Sequence, residues 1–507
     1  MMRRLISGDA APHEDFALLG SLKECGQQKD LQRGSVLYSH IIKKGILEHT
    51  PYLSSSIISM YAKCGKLEEA HHLHDKIKVR NTVSWNALIS GYAQKREKSR
   101  QAFHCFEQMQ SEGLSPDVVT FTCILKVCGQ IRAVEKGKEI HEMIVVRGFL
   151  EKDVVLGNAL VDMYAKCGML SRAQYVLDEL HIQNVVSWNG LIAGYAYQGK
   201  GHDALCCFKS MQDKGISPNA VTFLCILKAC ANTGDIEKGQ EIHDEIISKG
   251  LLKKNGVLCT ALVDMYVKCG VIVKAQEVFD NLPAQNIVTW NTLISGYVEH
   301  GHGDEALKLY ERMQLEGVSP DVATLVSYLK ACGSIRAADT GQEMHSYIKR
   351  KGFEENVLVG TTLVDMYAKC GLLVEAGEAF DKLHVRNVIS WNALITAYVE
   401  YGYAGESLIF FKQMQIEGVS PNSGTFVCIL KACGKEKVVD EASEIHSQLA
   451  RKGLLESDVN VGNTLVDMYG KCGMLHRAQE VFDKLPIRNV LSWNALISGF
   501  DEHGHSE

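Results

Sequence analysis

Little in this chain suits it to a membrane, a secretory route or a disulfide scaffold. Its 507 residues hold no run approaching the ~18 apolar residues of a membrane span. The opening Met1-Met2-Arg3-Arg4 is not followed by the apolar stretch of a secretory signal. Proline is scarce, at 8 residues, and the balance of 46% hydrophobic to 22% charged residues is that of an ordinary folded protein. Collagen-like and strongly disordered classes are thereby excluded. Basic charge is not in excess, with 54 Lys and Arg against 60 Asp and Glu and a net charge of -6. That argues against a general nucleic-acid coat and leaves a locally basic groove open. C-x2-C, Walker, HExxH and Ser–His–Asp patterns are missing too. What the chain does have is 44 glycines and 17 cysteines, and a length that at ~150 residues per domain suggests three domains.

Five tryptophans replace that domain estimate. Trp85, Trp188, Trp290, Trp391 and Trp493 lie 103, 102, 101 and 102 residues apart. Each sits in one phrase, from Ser84-Trp85-Asn86-Ala87-Leu88-Ile89 to Ser492-Trp493-Asn494-Ala495-Leu496-Ile497. A period of this size marks a repeat architecture, and each period divides into three related units. Val185–Asn219, Ala220–Asn255 and Gly256–Asn286 are clear copies of 35, 36 and 31 residues. The pattern yields fourteen complete units: 15–50, 51–81, 82–117, 118–153, 154–184, 185–219, 220–255, 256–286, 287–321, 322–356, 357–387, 388–422, 423–458 and 459–489. A short segment, 1–14, precedes them, and a fifteenth unit is cut off at 490–507. The copy at 82–117 has one extra residue near Arg96-Glu97-Lys98. Opening in the second type of unit and stopping inside the first reads as an incomplete gene product.

Every unit reads as two helices. Trp188, Leu191, Ile192 and Tyr195 recur at the spacing of one helical face, and Ala204, Leu205, Phe208 and Met211 form a second stripe. Ser187 is the expected N-cap of the first helix and Gly199 its terminator, while Gly215 and Pro218 close the second. A pair of short helices cannot bury its apolar faces alone, so the pairs stack on one another. The expected fold is an all-α solenoid.

Val-Ser-Trp-Asn-Ala-Leu-Ile-Ser-Gly-Tyr (83–92), Leu-Val-Asp-Met-Tyr-Ala-Lys-Cys-Gly (160–168) and Gly-Val-Ser-Pro-Asp (317–321) resemble pentatricopeptide repeats. The tetratricopeptide pattern W-x2-L-G-x2-Y is not matched. The rotation of 35-, 36- and 31-residue units resembles the P, L and S classes of that family, the PLS type of land plants. The resemblance implies a right-handed superhelix that binds single-stranded RNA in mitochondria or chloroplasts, one base per repeat, as a monomer without cofactor or metal. The family selects each base with the fifth residue of a unit and its last residue. An array of polar pairs suits this purpose, because unpaired bases expose their Watson–Crick edges.

Position five is Asn in every P unit (Asn86, Asn189, Asn291, Asn392, Asn494) and Ser, Asn or Thr in the S units (Ser55, Asn158, Thr260, Thr361, Asn463). The last residue is Asn or Asp in thirteen of the fourteen complete units, Thr50 being the exception. Two readings of those final residues stand: caps of the next helix, or base selectors. Carried over unit by unit, the family's code assigns A to Ser55/Asn81, Thr260/Asn286 and Thr361/Asn387, and U to Asn86/Asp117 and Asn291/Asp321. It assigns a pyrimidine to Asn158/Asn184, Asn189/Asn219, Asn392/Asn422 and Asn463/Asn489. Leu19, Leu224, Val326 and Val427 in the L units cannot hydrogen-bond a base, and Thr122/Asp153 would suit G. The implied target is A-U-(G)-Y-Y-x-A-U-x-A-Y-x-Y.

Lys63, Lys166, Lys268, Lys369 and Lys471 are the thirteenth residue of each S unit. They are either charges that compensate the helix dipole or contacts to the RNA backbone. The cysteines keep register as well: Cys25, Cys128, Cys230, Cys332 and Cys433; Cys64, Cys167, Cys269, Cys370 and Cys472; Cys123, Cys225 and Cys428. They read as small buried hydrophobes rather than zinc ligands or disulfides. The recurrent His141, His243, His345 and His446 read as packing residues.

Many PLS proteins carry a deaminase domain with H-x-E and P-C-x2-C. Here H-x-E ends the chain as His505-Ser506-Glu507, without cysteines after it, and P-C-x2-C is missing throughout. The expectation is a non-enzymatic specificity factor for RNA editing, its deaminase lost or supplied in trans. A factor for RNA stability, cleavage or translation uses the same surface, and a tetratricopeptide-like protein scaffold is the competing class.

Overall fold

The computed structural model describes residues 11–44, 51–77, 79–150, 153–252, 255–282 and 285–503. Thr50 and the His505-Ser506-Glu507 triplet lie outside the described residues. Regular structure within them is helical throughout: thirty α-helices, numbered α1 to α30 in chain order, and a short 3-10 turn at Arg96–Lys98. That turn holds the extra residue of the 82–117 copy, between α5 (Thr82–Tyr92) and α6 (Ser99–Ser111). None of the helices is long and apolar enough to cross a membrane.

The local reasons for helix are clearest in α11 (Val185–Tyr197) and α12 (Gly201–Asp213). Trp188, Leu191 and Ile192 are buried on α11, and Ala204, Phe208 and Met211 on α12. Gly199 adopts φ +75 between the helices and Gly215 φ +73 after them, the left-handed backbone that ends a helix at little cost for glycine. The expected cap Ser187 is corrected. The N-cap is Asn184, whose side chain accepts from the N–H groups of Val186 at 2.8 Å and Ser187 at 3.1 Å. Ser187 is the return arm of a capping box, its hydroxyl accepting the Asn184 N–H at 3.0 Å.

The chain forms two compact bodies, residues 1–269 and 270–507, so the boundary falls inside the 256–286 unit. In the first body, the first helices of successive units pack side by side: α7 (Val118–Ile131) on α9 (Val154–Lys166), α9 on α11, and α11 on α13 (Ala220–Thr233). Each second helix packs on its own first helix and on the next one. One glycine in four of the five L units permits the close approach, Ala442 standing there in the fifth. A Cβ at Gly239 would lie 2.6 Å from the Met265 sulfur, and Gly34, Gly137 and Gly341 face Met60, Met163 and Met366 in the same way. The second body repeats the arrangement from α17 (Ile287–Glu299) through α19 (Val322–Ile335), α21 (Val357–Lys369), α23 (Val388–Glu400), α25 (Ser423–Glu436) and α28 (Val459–Lys471) to α30 (Val490–Glu502). The rows of first helices place equivalent residues of successive units side by side.

Candidate nucleic-acid interface

The last residue of a unit has two jobs in this structure. As a cap, its side-chain oxygen accepts from the first free N–H groups of the next helix. Asn81, Asp117, Asp153, Asn184, Asn219, Asn255, Asn286, Asp321, Asn356, Asn387, Asn422, Asp458 and Asn489 all do this. A cap of this kind contributes about 1 kcal/mol. In several units the same side chain also bonds position five of its own unit. Asn86 donates to both carboxylate oxygens of Asp117, at 2.9 and 3.0 Å. Asn189 donates to Asn219 at 3.1 Å, Asn291 to Asp321 at 3.0 Å, Asn392 to Asn422 at 3.1 Å, and Asn463 to Asn489 at 3.2 Å. Ser55 reaches Asn81 more loosely, at 3.4 Å. Burial alone would raise the Asp321 pKa, but bonds from the Thr324 N–H, the Asn291 amide and the Thr324 hydroxyl hold it below the usual carboxylate range.

Other residues singled out in the sequence are placed differently. Thr122 turns its hydroxyl back to the Val118 carbonyl of its own helix, 2.7 Å away, while Asp153 caps α9. The two side chains make no hydrogen bond to each other. Thr260 likewise bonds the Gly256 carbonyl at 3.1 Å, and Asn286 caps α17. The Asn158 oxygen and the Thr361 hydroxyl are buried without a hydrogen-bond partner, and Asn184 and Asn387 cap α11 and α23.

Around the first units the pairs line one groove. A cavity of about 930 Å3 is bordered by Ser55, Asn81, Asn86, Lys63, Tyr52, Val83 and Val119, with Leu19 and Lys23 at its edge. Polar pair, lysine and apolar surface thus share one face there. Farther along, the lysines are partnered: Lys166 bonds Asp162 at 2.6 Å, Lys268 Asp264 at 2.7 Å, Lys369 Asp365 at 2.7 Å and Lys471 Asp467 at 2.6 Å.

The second residue of each unit was passed over in the sequence as one more apolar position. Tyr52, Val83, Val119, Val155, Val186, Val221, Val257, Val288, Leu358, Ile389 and Leu491 are each exposed by half or more. They stand one turn below position five, on first helices whose main apolar stripe, such as Trp188, Leu191 and Ile192, is in the core. The signal was present: an apolar residue beside the cap, out of phase with the Trp188, Leu191, Ile192 stripe.

Cysteines and histidines contribute packing. Cys25, Cys128, Cys230, Cys332 and Cys433 are buried, and all 17 cysteines are free thiols. Burial pushes the Cys128, Cys230, Cys332 and Cys433 thiols up to about 12, far from the reactive range. His141, His243, His345 and His446 hydrogen-bond Tyr164, Tyr266, Tyr367 and Tyr469 at 3.0, 2.9, 2.7 and 2.9 Å. Among the described residues no group of His, Cys, Asp and Glu is arranged to hold a metal ion.

Comparison with known proteins agrees with this geometry. The pentatricopeptide repeat family model matches residues 80–130, 183–232, 285–334 and 386–435, and a pentatricopeptide repeat model matches 53–82, 158–185, 221–251, 257–287, 361–388 and 463–490. A chloroplastic pentatricopeptide repeat-containing protein of Arabidopsis thaliana is 35% identical over 89% of this chain and 73% of its own length. Another chloroplastic one and a mitochondrial one, from the same plant, are each 32% identical over 95% and 94% of the chain. The chain spans 59% and 54% of the length of those two. The crystal structure of the pentatricopeptide repeat protein PPR10 from maize aligns with 98% of the chain and 88% of its own, with a TM-score of 0.56 at 19% identity. The shared fold is the α-solenoid. With its repeat motifs, capped helix pairs and these relatives together, the chain belongs to the pentatricopeptide repeat family.

Proposed function

We propose that this chain binds single-stranded RNA in a sequence-specific manner, one base per unit, inside a chloroplast or mitochondrion. The observation that carries the proposal is the repeated hydrogen bond between position five and the final residue, beside an exposed apolar residue at position two. Polar edges select a base edge, and the apolar residue offers its face a surface. A groove for a folded peptide has no use for one Asn–Asn or Asn–Asp pair per unit. The compartment is that of the plant relatives. We assign the chain as a specificity factor for RNA modification, C-to-U editing first, working with a deaminase in trans. Its selecting pairs are Ser55/Asn81, Asn86/Asp117, Thr122/Asp153, Asn158/Asn184, Asn189/Asn219, Thr260/Asn286, Asn291/Asp321, Thr361/Asn387, Asn392/Asn422 and Asn463/Asn489.

Gel shifts with A-U-G-Y-Y-x-A-U-x-A-Y-x-Y and with a scrambled RNA of equal composition test the reading. Preference for the first is expected, and equal affinity overturns the register. Asn291→Thr then moves the preference facing Asp321 from U toward G.

A further inference from the structure

We infer that the third-position threonine of each L unit that follows a P unit, Thr120, Thr222, Thr324 and Thr425, is a specificity-determining positioning residue that fixes the amide of the preceding P unit's position-five asparagine. The inference rests on the RNA reading above and assigns those threonines a part in it.

The chain of bonds starts at a helix N-terminus. In α13 the N–H groups of Val221 and Thr222 donate to the Asn219 side chain at 3.0 and 3.1 Å, so the atom they meet is an oxygen. That oxygen also faces the Asn189 amide at 3.1 Å, which must therefore present its NH2. The Asn189 oxygen is then directed at Thr222, whose buried hydroxyl donates to it at 2.7 Å. The hydroxyl is oriented in turn by accepting the Asn219 N–H at 3.0 Å. The hydroxyl has a second acceptor in the Asn219 oxygen at 3.2 Å, but that oxygen already receives two backbone N–H groups and the Asn189 amide, and the Asn189 contact is the shorter. The hydroxyl contact recurs from Thr120 to Asn86 at 2.6 Å, Thr324 to Asn291 at 2.7 Å and Thr425 to Asn392 at 2.6 Å.

Other junctions lack the link. Between S and P units, the Ser187 hydroxyl donates to the Asn184 carbonyl at 2.8 Å, and the Asn158 oxygen stays buried without a partner. Between L and S units, position three is Leu156, Val359 or Val461, which cannot donate at all. An amide has two donor and two acceptor positions. In a P unit, one of each is engaged and the orientation is set before RNA arrives, so a base meets a fixed N–H. In the S units that carry Asn158 or Asn463, the carbonyl has no such donor, so the amide is held from one side at most.

The test measures binding of the full chain to four RNAs that differ only at the base facing Asn189/Asn219. Thr222→Val replaces the hydroxyl by a methyl of similar volume, leaving the Asn189 oxygen without its donor. The preference for a pyrimidine at that base is expected to fall by about fivefold, the worth of one hydrogen bond. Thr222→Ser restores it, and preferences at other units stay as in wild type. Ser187→Ala breaks a capping box without touching position five, so it lowers the melting temperature and leaves base preference unchanged. Thr425→Val gives the same reading at Asn392/Asn422 if Thr222→Val does not fold. A wild type that discriminates beside a Thr222→Val that discriminates equally overturns this inference alone. So does a Ser187→Ala that flattens preference as much. A wild type that distinguishes no base at any unit overturns the RNA reading and this inference with it.

Discussion

The two bodies of the molecule share one helical plan and differ in the row of residues at position two. In the first body, Tyr52, Val83, Val119, Val155, Val186, Val221 and Val257 form an unbroken row of exposed apolar side chains. In the second, Val288, Leu358, Ile389 and Leu491 are interrupted by Ala323, Gly424 and Asn460. The helices do not register the loss. α25 begins Ser423-Gly424 under its Asn422 cap, and α28 begins Val459-Asn460 under Asp458. Position two is therefore dispensable for folding, and an apolar residue kept exposed there is better explained by what it meets from outside. If the chain binds RNA as proposed, the stronger grip on bases is expected in the first body.

The largest effect should come from cutting that row. Val155→Ser, Val186→Ser and Val221→Ser together should weaken RNA binding about a hundredfold, at ~1 kcal/mol for each partly buried valine. Fluorescence anisotropy reads the loss, and circular dichroism should find helix content unchanged. Ala323→Ser with Gly424→Ser in the second body should change affinity less than about twofold, since neither has apolar surface of that size to lose. Equal losses in both bodies would break the comparison.

A second contrast between the bodies lies under the tryptophans. Trp290, Trp391 and Trp493 pack edge-on against Phe279, Phe380 and Phe482, with ring centroids 4.6, 4.5 and 4.6 Å apart. In the first body Trp85 packs on His74 instead, at 4.1 Å, and both ring nitrogens of His74 are buried without a hydrogen-bond partner. Burial, helped by the nearby Arg80, holds the His74 pKa down from 6.5 to about 4. The unfolded chain takes up a proton near the ordinary value and the folded chain refuses it. Stability is therefore full above that value and falls as pH drops toward about 4, by up to roughly 3 kcal/mol at the end of the window. His74→Phe gives this unit the second body's packing. The difference in urea midpoint between neutral pH and about pH 5 should shrink in the variant, the full window being worth several kcal/mol. An unchanged difference would place the acid sensitivity elsewhere.

The gap in the second body can also be filled. Asn460→Val extends an existing first turn, and the cap there is made to the Asn460 backbone, which the change spares. Affinity for a matched RNA should rise by about fivefold, roughly 1 kcal/mol of added apolar contact. No gain would mean that the row is decoration.

These contrasts were unevenly legible in the sequence. The period of the five tryptophans, the two stripes of Val185–Asn219 and the left-handed Gly199 and Gly215 prescribe helix pairs directly. The pairing of Asn189 with Asn219 was legible because position five is Asn in every P unit and the last residue is Asn or Asp in all complete units but one. Ser187 misled, since a serine ahead of an apolar stripe looks like a cap; the cap is Asn184, a role the sequence had offered to the final residues as one of two readings. The bond from Thr122 to the Val118 carbonyl was not legible for another reason: a helical threonine can bond the carbonyl one turn back, and residue type alone does not say which partner wins. Position two stayed hidden because a pattern of apolar residues assigns every valine to the core. Which ones stay in water depends on how neighbouring first helices pack.

The smallest effect concerns charge. Lys166, Lys268, Lys369 and Lys471 each hold an aspartate one turn back, whereas Ser59 stands one turn before Lys63. Exposed pairs of this kind are worth only ~0 to 1 kcal/mol, so a phosphate can draw the lysine away, but the aspartate left behind repels that phosphate. Along most of the row the lysine's net contribution to RNA binding is therefore small, and it should be larger at Lys63, which lines the same groove as Ser55 and Asn81. Removing a lysine that meets a phosphate flattens the slope of log affinity against log salt by ~0.7 for a single strand. Lys63→Ala should show that change and Lys166→Ala less of it, while Asp162→Asn should steepen the slope by freeing Lys166. Slopes that stay put in all three variants would return the lysines to their other reading, as charges at helix ends compensating the dipole.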